Sequence, residues 1–321
     1  MPLLDMKSLL VKAQQEKYGV GAFSIANMEM IMGAVKAAEE LNSPIILQIA
    51  EVRLNYSPLN LIGPMMIAAA KSSKVPIAVH LDHGISMGKI EEALELGFTS
   101  VMIDGSSLPF EENIAVTKKV VEYAHAHGVV VEAELGQLAG IEDDVKVAAH
   151  EAHYTDPNEV EEFVKETGVD SLAIASGTSH GAYKYTPDQC TRNEQGILVP
   201  PPLRFDILEE VAKRLPNFPI VLHGASSVPQ DFVKIINENG GHMPDAVGVP
   251  EDQLRKAASM AVCKINIDSD LRLAMTAGIR KHFNDHPDHF DPRQYVADGR
   301  TNIKAIVSHK IKEVLGCDGK A

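Results

Sequence analysis

The sequence predicts an α/β protein, a (β/α)₈ or TIM barrel with additional C-terminal helices, and three observations carry that prediction. Short apolar runs of four to seven residues alternate with longer stretches whose apolar residues recur at helical spacing. Eight such alternations fit within about 270 residues, which suits a closed parallel barrel better than a doubly wound open sheet. No G-x-G-x-x-G follows the first run, so the dinucleotide-binding version of an α/β fold lacks its fingerprint.

Taken in order, the expected strands are Val20–Phe23, Pro44–Ile49, Val75–Leu81, Ser100–Ile103, Val129–Ala133, Ser171–Ala175, Pro219–Leu222 and Val262–Ile267. Between the first two, Met28, Ile31, Met32, Val35 and Ala38 share one helical face. Between the sixth and seventh, Ile207, Leu208, Val211, Ala212 and Leu215 do the same. From about Asp285 the tail reads as extra helix. Neither a linker nor a repeat beyond the βα unit interrupts residues 1–321, so one barrel domain is expected.

Composition narrows the function classes. With 45% hydrophobic and 23% charged residues the chain can bury a core, which excludes disorder. A net charge of −14 argues against a nonspecific nucleic-acid binder while leaving room for a small anionic substrate at a local cluster of donors. The longest apolar run, Leu61 to Ala70, is interrupted by Gly63 and Pro64 and is too short for a membrane span. Three cysteines, Cys190, Cys263 and Cys317, form no close pair. The opening Met1-Pro2-Leu3-Leu4-Asp5 lacks a cationic region and an apolar core, so a cytoplasmic location is expected.

In a barrel, chemistry gathers where strands end and βα loops begin. Strands three to eight lead into Asp82-His83-Gly84, Asp104-Gly105-Ser106, Glu132-Ala133-Glu134, Gly177-Thr178-Ser179-His180-Gly181, His223-Gly224-Ala225-Ser226-Ser227 and Asn266-Ile267-Asp268-Ser269-Asp270. Helix capping accounts for Ser227, Ser269 and Asp270. It does not account for His83, His180 and His223. Three neutral imidazoles at one mouth, with a coordination position left open, are the donor set of a Lewis-acid zinc enzyme. His80 lies inside its strand, where a core role is expected. His125 and His127 sit at a helix end, and His282, His286, His289 and His309 in the tail, all outside the expected site.

Asp82, beside His83, is a candidate base. Asp104 and Glu134 are read either as partners that orient the histidines, as ligands of a second divalent or monovalent cation, or as helix caps. Gly181, Gly224, Ser226 and Ser269 allow phosphate cradles at the helix starts after strands seven and eight, with Lys184 and Arg272 as sources of charge. Two long loops, from Glu134 to about Pro157 and from Gly177 to Leu203, flank the mouth. The first carries Gly140-Ile141-Glu142-Asp143-Asp144, a lid candidate with a carboxylate for proton transfer or simply a solvated acidic loop.

The set His80-Leu81-Asp82-His83-Gly84, Glu132-Ala133-Glu134-Leu135-Gly136, Gly177 to Gly181, His223 to Ser227 and Asn266 to Asp270 resembles the class II, zinc-dependent fructose-bisphosphate aldolases. The resemblance runs from about Tyr18 to the C-terminal region. It implies a homodimeric or homotetrameric barrel that cleaves fructose 1,6-bisphosphate, in glycolysis and gluconeogenesis, into dihydroxyacetone phosphate and glyceraldehyde 3-phosphate. It further implies that His83, His180 and His223 bind zinc, that Asp82 transfers a proton, and that Asp104 and Glu134 can hold a second metal. Glu142 matches the lid glutamate. Gly181, Gly224, Ala225, Ser226, Asn266, Ile267, Asp268 and Ser269 match the dihydroxyacetone-phosphate site, and Arg272 resembles a residue contacting the second phosphate. Ala50 departs from the family, many of whose members carry Ser there. Three alternatives stay open: a tagatose- or other ketose-bisphosphate aldolase, a Schiff-base aldolase using Lys264, and a non-catalytic sugar-phosphate binder.

Overall fold

Strands buried on both faces must read as near-continuous apolar runs, and each of the eight expected runs forms one. A computed structural model describes residues 2–142, 145–147 and 153–321. Among them, β1 (Val20–Ser24), β2 (Ile45–Ala50), β3 (Ile77–Gly84), β4 (Ser100–Ile103), β5 (Val130–Leu135), β6 (Ser171–Ile174), β7 (Ile220–Leu222) and β8 (Val262–Ile267) are all parallel. They close into a barrel in the order β1-β8-β7-β6-β5-β4-β3-β2. Pro44 and Pro219 fall just outside their strands, as a residue without an N–H donor should.

Four strands run further than expected, β1 and β2 by one residue each, to Ser24 and Ala50. β3 continues through Asp82, His83 and Gly84, and β5 through Glu134 and Leu135. Asp82 and Glu134, expected in loops, are therefore paired within the ladders, opposite Ala50 and Ala173. Register explains the arrangement: Gln48 lies beside His80 and Ala50 beside Asp82, while Val20 lies beside Lys264 and Ala22 beside Asn266.

Helices α1 (Met6–Glu16), α2 (Met28–Glu40), α3 (Leu59–Ser72), α4 (Met87–Glu95), α5 (Phe110–Ala126), α6 (Val160–Thr167), α7 (Phe205–Arg214), α8 (Gln230–Glu238), α9 (Glu251–Met260), α10 (Ser269–Asp285) and α11 (Pro292–His309) clothe the barrel. One apolar cluster runs from α1 through the strands to the C-terminal Ile311, Val314 and Leu315. Helix α1 starts on Asp5, whose side chain accepts the Ser8 N–H at 2.8 Å. After α11 a π-helical turn, Lys310–Leu315, ends at Gly316, whose φ of 68° suits a left-handed cap. In the lid region, Ala139–Glu142 pairs antiparallel with Val145–Val147 and parallel with Ser179–His180. The two long loops are thus joined by backbone bonds across the mouth. Asp143, Asp144 and the side chain of Glu142 lie outside the described residues.

Lys310 pins the tail to the barrel. Its ammonium, 1% exposed, lies 2.8 Å from Asp270, 2.6 Å from Glu251 and 2.5 Å from the Ser227 hydroxyl. Asp270 in turn accepts the N–H groups of Ser227 and Val228, so the expected caps serve as a clamp between the loop after β7 and α10. Burial pushes the Glu251 carboxyl up, but Lys310 and the hydrogen bonds from Lys310 and His309 outweigh it and hold it at about 2. Because the folded value lies below the ordinary 4.5, this contribution to stability is complete above pH 4.5 and fades as pH falls toward about 2. Urea denaturation across that window should therefore show wild type losing more stability than Glu251→Gln. Lys310→Met, which strands two carboxylates, should cost about 3–5 kcal/mol at neutral pH.

Candidate active site

All eight strands point their C-terminal ends at one mouth, and a small, polar-lined cavity opens there. Its walls include Asp82, His83, His180, Gly181, Lys184, Gly224, Ala225, Ser226, Asn266, Asp268 and Ser269 from the expected set, with Ser24 added.

Consecutive strand residues normally face opposite ways, yet Asp82 and His83 both reach this cavity. The backbone makes that possible. The ladder between β3 and β4 shifts register between Leu81 and Gly84, and His83 adopts φ of 43°, a left-handed conformation that a non-glycine residue enters at a cost. Gly84 follows because the strands approach too closely for a side chain: a Cβ there would sit 2.3 Å from the Met102 carbonyl oxygen. Gly224 answers a similar demand, with φ of 57° and the Ser179 carbonyl 2.8 Å from where its Cβ would stand.

Three imidazoles meet at the mouth. The His83 ring lies 5.3 Å from that of His180 and 4.6 Å from that of His223. His83 holds Asp104 through Nδ1 at 2.8 Å, and Asp104 accepts from the Ser106 N–H and hydroxyl. Burial pushes the Asp104 carboxyl up, but His83 and Ser106 together hold it well below the usual carboxylate range. His223, fully buried, is gripped on both sides, by Glu134 at Nδ1 (2.9 Å) and Glu132 at Nε2 (2.8 Å). Burial lowers its basicity, yet the two carboxylates win and raise it to about 9. A field that favours a proton there favours any cation. Lys264 completes the floor, with its ammonium 2.9 Å from Glu132 and 3.8 Å from Asp82.

Asp82 is 2% exposed. Gln48 donates to it at 2.9 Å and Asn266 at 3.1 Å. Burial opposes its charge, but His83, Lys264 and His223 together keep its carboxyl below the ordinary value. His80, beneath it, bonds the Ser100 hydroxyl through Nδ1. Burial and Lys264 drive His80 down to about 3, so its ring is neutral.

The phosphate cradle has its parts in place. The Ser226 hydroxyl accepts the N–H groups of Asp268 and Ser269 at the start of α10, and the Lys184 ammonium, 7% exposed, donates to the Ser179 carbonyl. Two expectations shift. Ile267 buries its side chain in the core, 1% exposed, so only its backbone can serve a ligand. Arg272 faces a neighbouring groove with Arg53 and Tyr56 and pairs with Asp268 at 3.2 Å. Asp104 and Glu134 stand behind the cavity wall, but each offers an oxygen within 4.8 Å of a shared nitrogen of His83.

Sequence reasoning missed Gln48, Arg53 and Glu132 as site residues. Arg53, on the short turn after β2, holds Asp268 through two bonds of 2.7 and 2.6 Å. Gln48 and Glu132 carried a readable signal: each stands two residues before another inward position, as Lys264 does before Asn266.

Residues 4–320 match the family described as fructose-bisphosphate aldolase class-II. The chain belongs to this family. Class II membership implies a divalent metal, and Asp82 with His83 and His223, like His83 with Asp104 and Glu134, brings donor atoms close enough to hold one. A fructose-bisphosphate aldolase from Treponema pallidum is 52% identical, covering 99% of this chain and 98% of its own. One from Giardia intestinalis is 47% identical, covering 100% and 95%. Among solved structures, the YdjI aldolase of Escherichia coli K12 superposes with a TM-score of 0.76 at 30% identity, covering 99% of both chains. The helices of this chain pack around the outside of the barrel. None among the described residues is long and apolar enough to cross a membrane.

Proposed function

We propose that this chain, a single barrel domain, is a zinc enzyme that reversibly cleaves fructose 1,6-bisphosphate into dihydroxyacetone phosphate and glyceraldehyde 3-phosphate, in glycolysis and gluconeogenesis. The convergence of His83, His180 and His223 beside the Asp82 carboxylate carries this reading.

His83 through its second nitrogen, His180, and His223 through Nδ1 are the zinc ligands. The Nδ1 assignment rests on Glu132, itself bonded to Lys264 on the barrel floor, holding the other nitrogen of His223. Bound there, the cation supplies positive charge that favours the electron pair released as the C3–C4 bond opens. Asp82, charged and held by Gln48 and Asn266, takes the C4 hydroxyl proton as that bond opens. Glu142 on the lid hairpin returns a proton to the ketone-side carbon. Gly181, Lys184, Gly224 to Ser226 and Asn266 to Ser269 hold the phosphate of the ketone half, with donors drawn from the start of α10. Arg272, with Arg53 beside it, serves the second phosphate. Asp104 and Glu134 hold a second, divalent or monovalent, cation. The active form is a homodimer or homotetramer in the cytoplasm, where the buried free thiols of Cys263 and Cys317 stay reduced.

A coupled aldolase assay before and after chelation tests the reading: activity should vanish with the metal and return with zinc. Undiminished turnover in metal-free protein would refute it. Tagatose 1,6-bisphosphate should be cleaved more slowly, and equal rates would defeat the substrate assignment.

Asp268→Ala removes the residue that Arg53 and Arg272 both hold but takes away no imidazole. Metal analysis should find zinc at the wild-type level, while KM rises or cleavage slows. Loss of zinc from this variant would contradict the division of roles.

A further inference from the structure

The histidines gather a second time, far from the cavity. His282 closes the last turn of α10 and is 6% exposed. Ser269, at the cavity, is thirteen residues earlier on the same helix, so the two ends lie roughly 20 Å apart at about 1.5 Å per residue. The His286 N–H donates to the His282 carbonyl at 2.8 Å and the His289 N–H to the His286 carbonyl at 3.1 Å. These two turns fold three rings together. His282 and His289 have centroids 5.2 Å apart, and His286 stacks on His289 at 4.7 Å and 11°. The nitrogen atoms are closer still: His282 Nε2 and His289 Nδ1 are 3.1 Å apart, and His282 Nδ1 lies 2.8 Å from Asp298 on α11.

We propose that His282 Nε2 and His289 Nδ1 form a second, transition-metal site on the outer face of the protein, with Asp298 orienting His282 and His286 supplying a third nitrogen. Two imidazole nitrogens each about 2.0–2.1 Å from one tetrahedral ion are separated by about 3.3 Å, close to the spacing already present. A ligating histidine characteristically presents its other ring nitrogen to a carboxylate, which fixes the ring and strengthens the donor. Asp298 stands in that position. A divalent cation takes the place of the proton shared between the two nitrogens; with Asp298 accepting the Nδ1–H of His282, the His289 ring carries its proton on Nε2 instead, so each imidazole offers the ion one lone pair. The C-terminal end of α10 adds a favourable field, since helix carbonyls there present partial negative charge. The His286 ring, exposed and touching its neighbour, reaches a shared ion by side-chain rotation. Imidazole donors select zinc, copper, nickel or cobalt over magnesium or calcium. Such an ion would brace the loop between α10 and α11 without entering the aldol reaction.

The test uses holoenzyme already loaded with its catalytic metal, equilibrated against Zn²⁺ and analysed for bound metal, with Cu²⁺ and electron paramagnetic resonance as a second probe. Wild type should take up one equivalent more than His289→Ala, and its copper spectrum should show imidazole nitrogen coupling that the variant lacks. Asp298→Asn should bind the extra ion about 10–100-fold more weakly, and His286→Ala should also bind it more weakly. Aldol cleavage should be unchanged in all three, which also establishes that they fold. Any cation at Asp104 and Glu134 is common to every protein and cancels in the comparison. Equal uptake by wild type and His289→Ala, or uptake only at millimolar Zn²⁺, would overturn the proposal.

Discussion

Asp82→Ala should keep its zinc and lose its cleavage rate, whereas His83→Ala should lose both. The two residues are neighbours on β3 but stand in different networks. His83 is tied to Asp104 and faces the rings of His180 and His223, so its removal takes one of three imidazoles and sharply lowers metal affinity. Asp82 is tied to Gln48 and Asn266, and its removal leaves every imidazole in place. C–C cleavage in Asp82→Ala should fall by about 10²–10⁴-fold, the range typical of a lost general base. Proton exchange at the dihydroxyacetone-phosphate carbon should suffer less, because that step is assigned to Glu142. Metal analysis, a cleavage assay and an exchange assay on both variants separate these roles. Loss of zinc from Asp82→Ala, or cleavage at the unmodified rate, would show that Asp82 is not the proton carrier.

Much of this site is legible in the sequence because a barrel converts order along the chain into nearness at one mouth. Residues 83, 180 and 223 share no local motif, and only the closing of eight strands brings their rings within 5.3 Å of a neighbour. The same logic explains what escapes a reading of the sequence. Apolar runs signal strands by hydrophobicity, so a polar residue inside one passes as an exception or as a strand end. Gln48, His80, Glu132 and Lys264 sit within β2, β3, β5 and β8 and are all fully buried; their meaning depends on register, which places them on the inward parity beneath Asp82, Glu134 and Asn266. Arg53 escapes for a different reason. Its partner Asp268 is 215 residues away, and nothing local distinguishes it from a solvated arginine. Helices α1 and α9 fall outside the simple alternation, one before the first strand and one as a second helix between β7 and β8.

Lys264 is the residue on which two chemistries divide, and Lys264→Met should separate them. A Schiff-base aldolase needs a lysine nitrogen free to attack the substrate carbonyl. The Lys264 ammonium is fully buried on the barrel floor and bonded to Glu132, which itself bonds His223. It is a positioning residue: it neutralises Glu132 so that this carboxylate can fix the His223 ring. In Lys264→Met the Glu132 carboxylate stays buried without its ammonium, a change worth about 3–5 kcal/mol in urea denaturation. Zinc should bind about 10–100-fold more weakly, as when a partner that orients a metal ligand is disturbed. At saturating zinc, cleavage should return to within about tenfold of wild type, because neither Asp82 nor any imidazole has been removed. A variant that binds zinc fully yet cleaves nothing would place Lys264 in the chemistry instead. Borohydride treatment of wild type with substrate distinguishes the two chemistries without requiring the variant to fold: no lysine adduct should form, and a stable adduct at Lys264 would overturn the assignment.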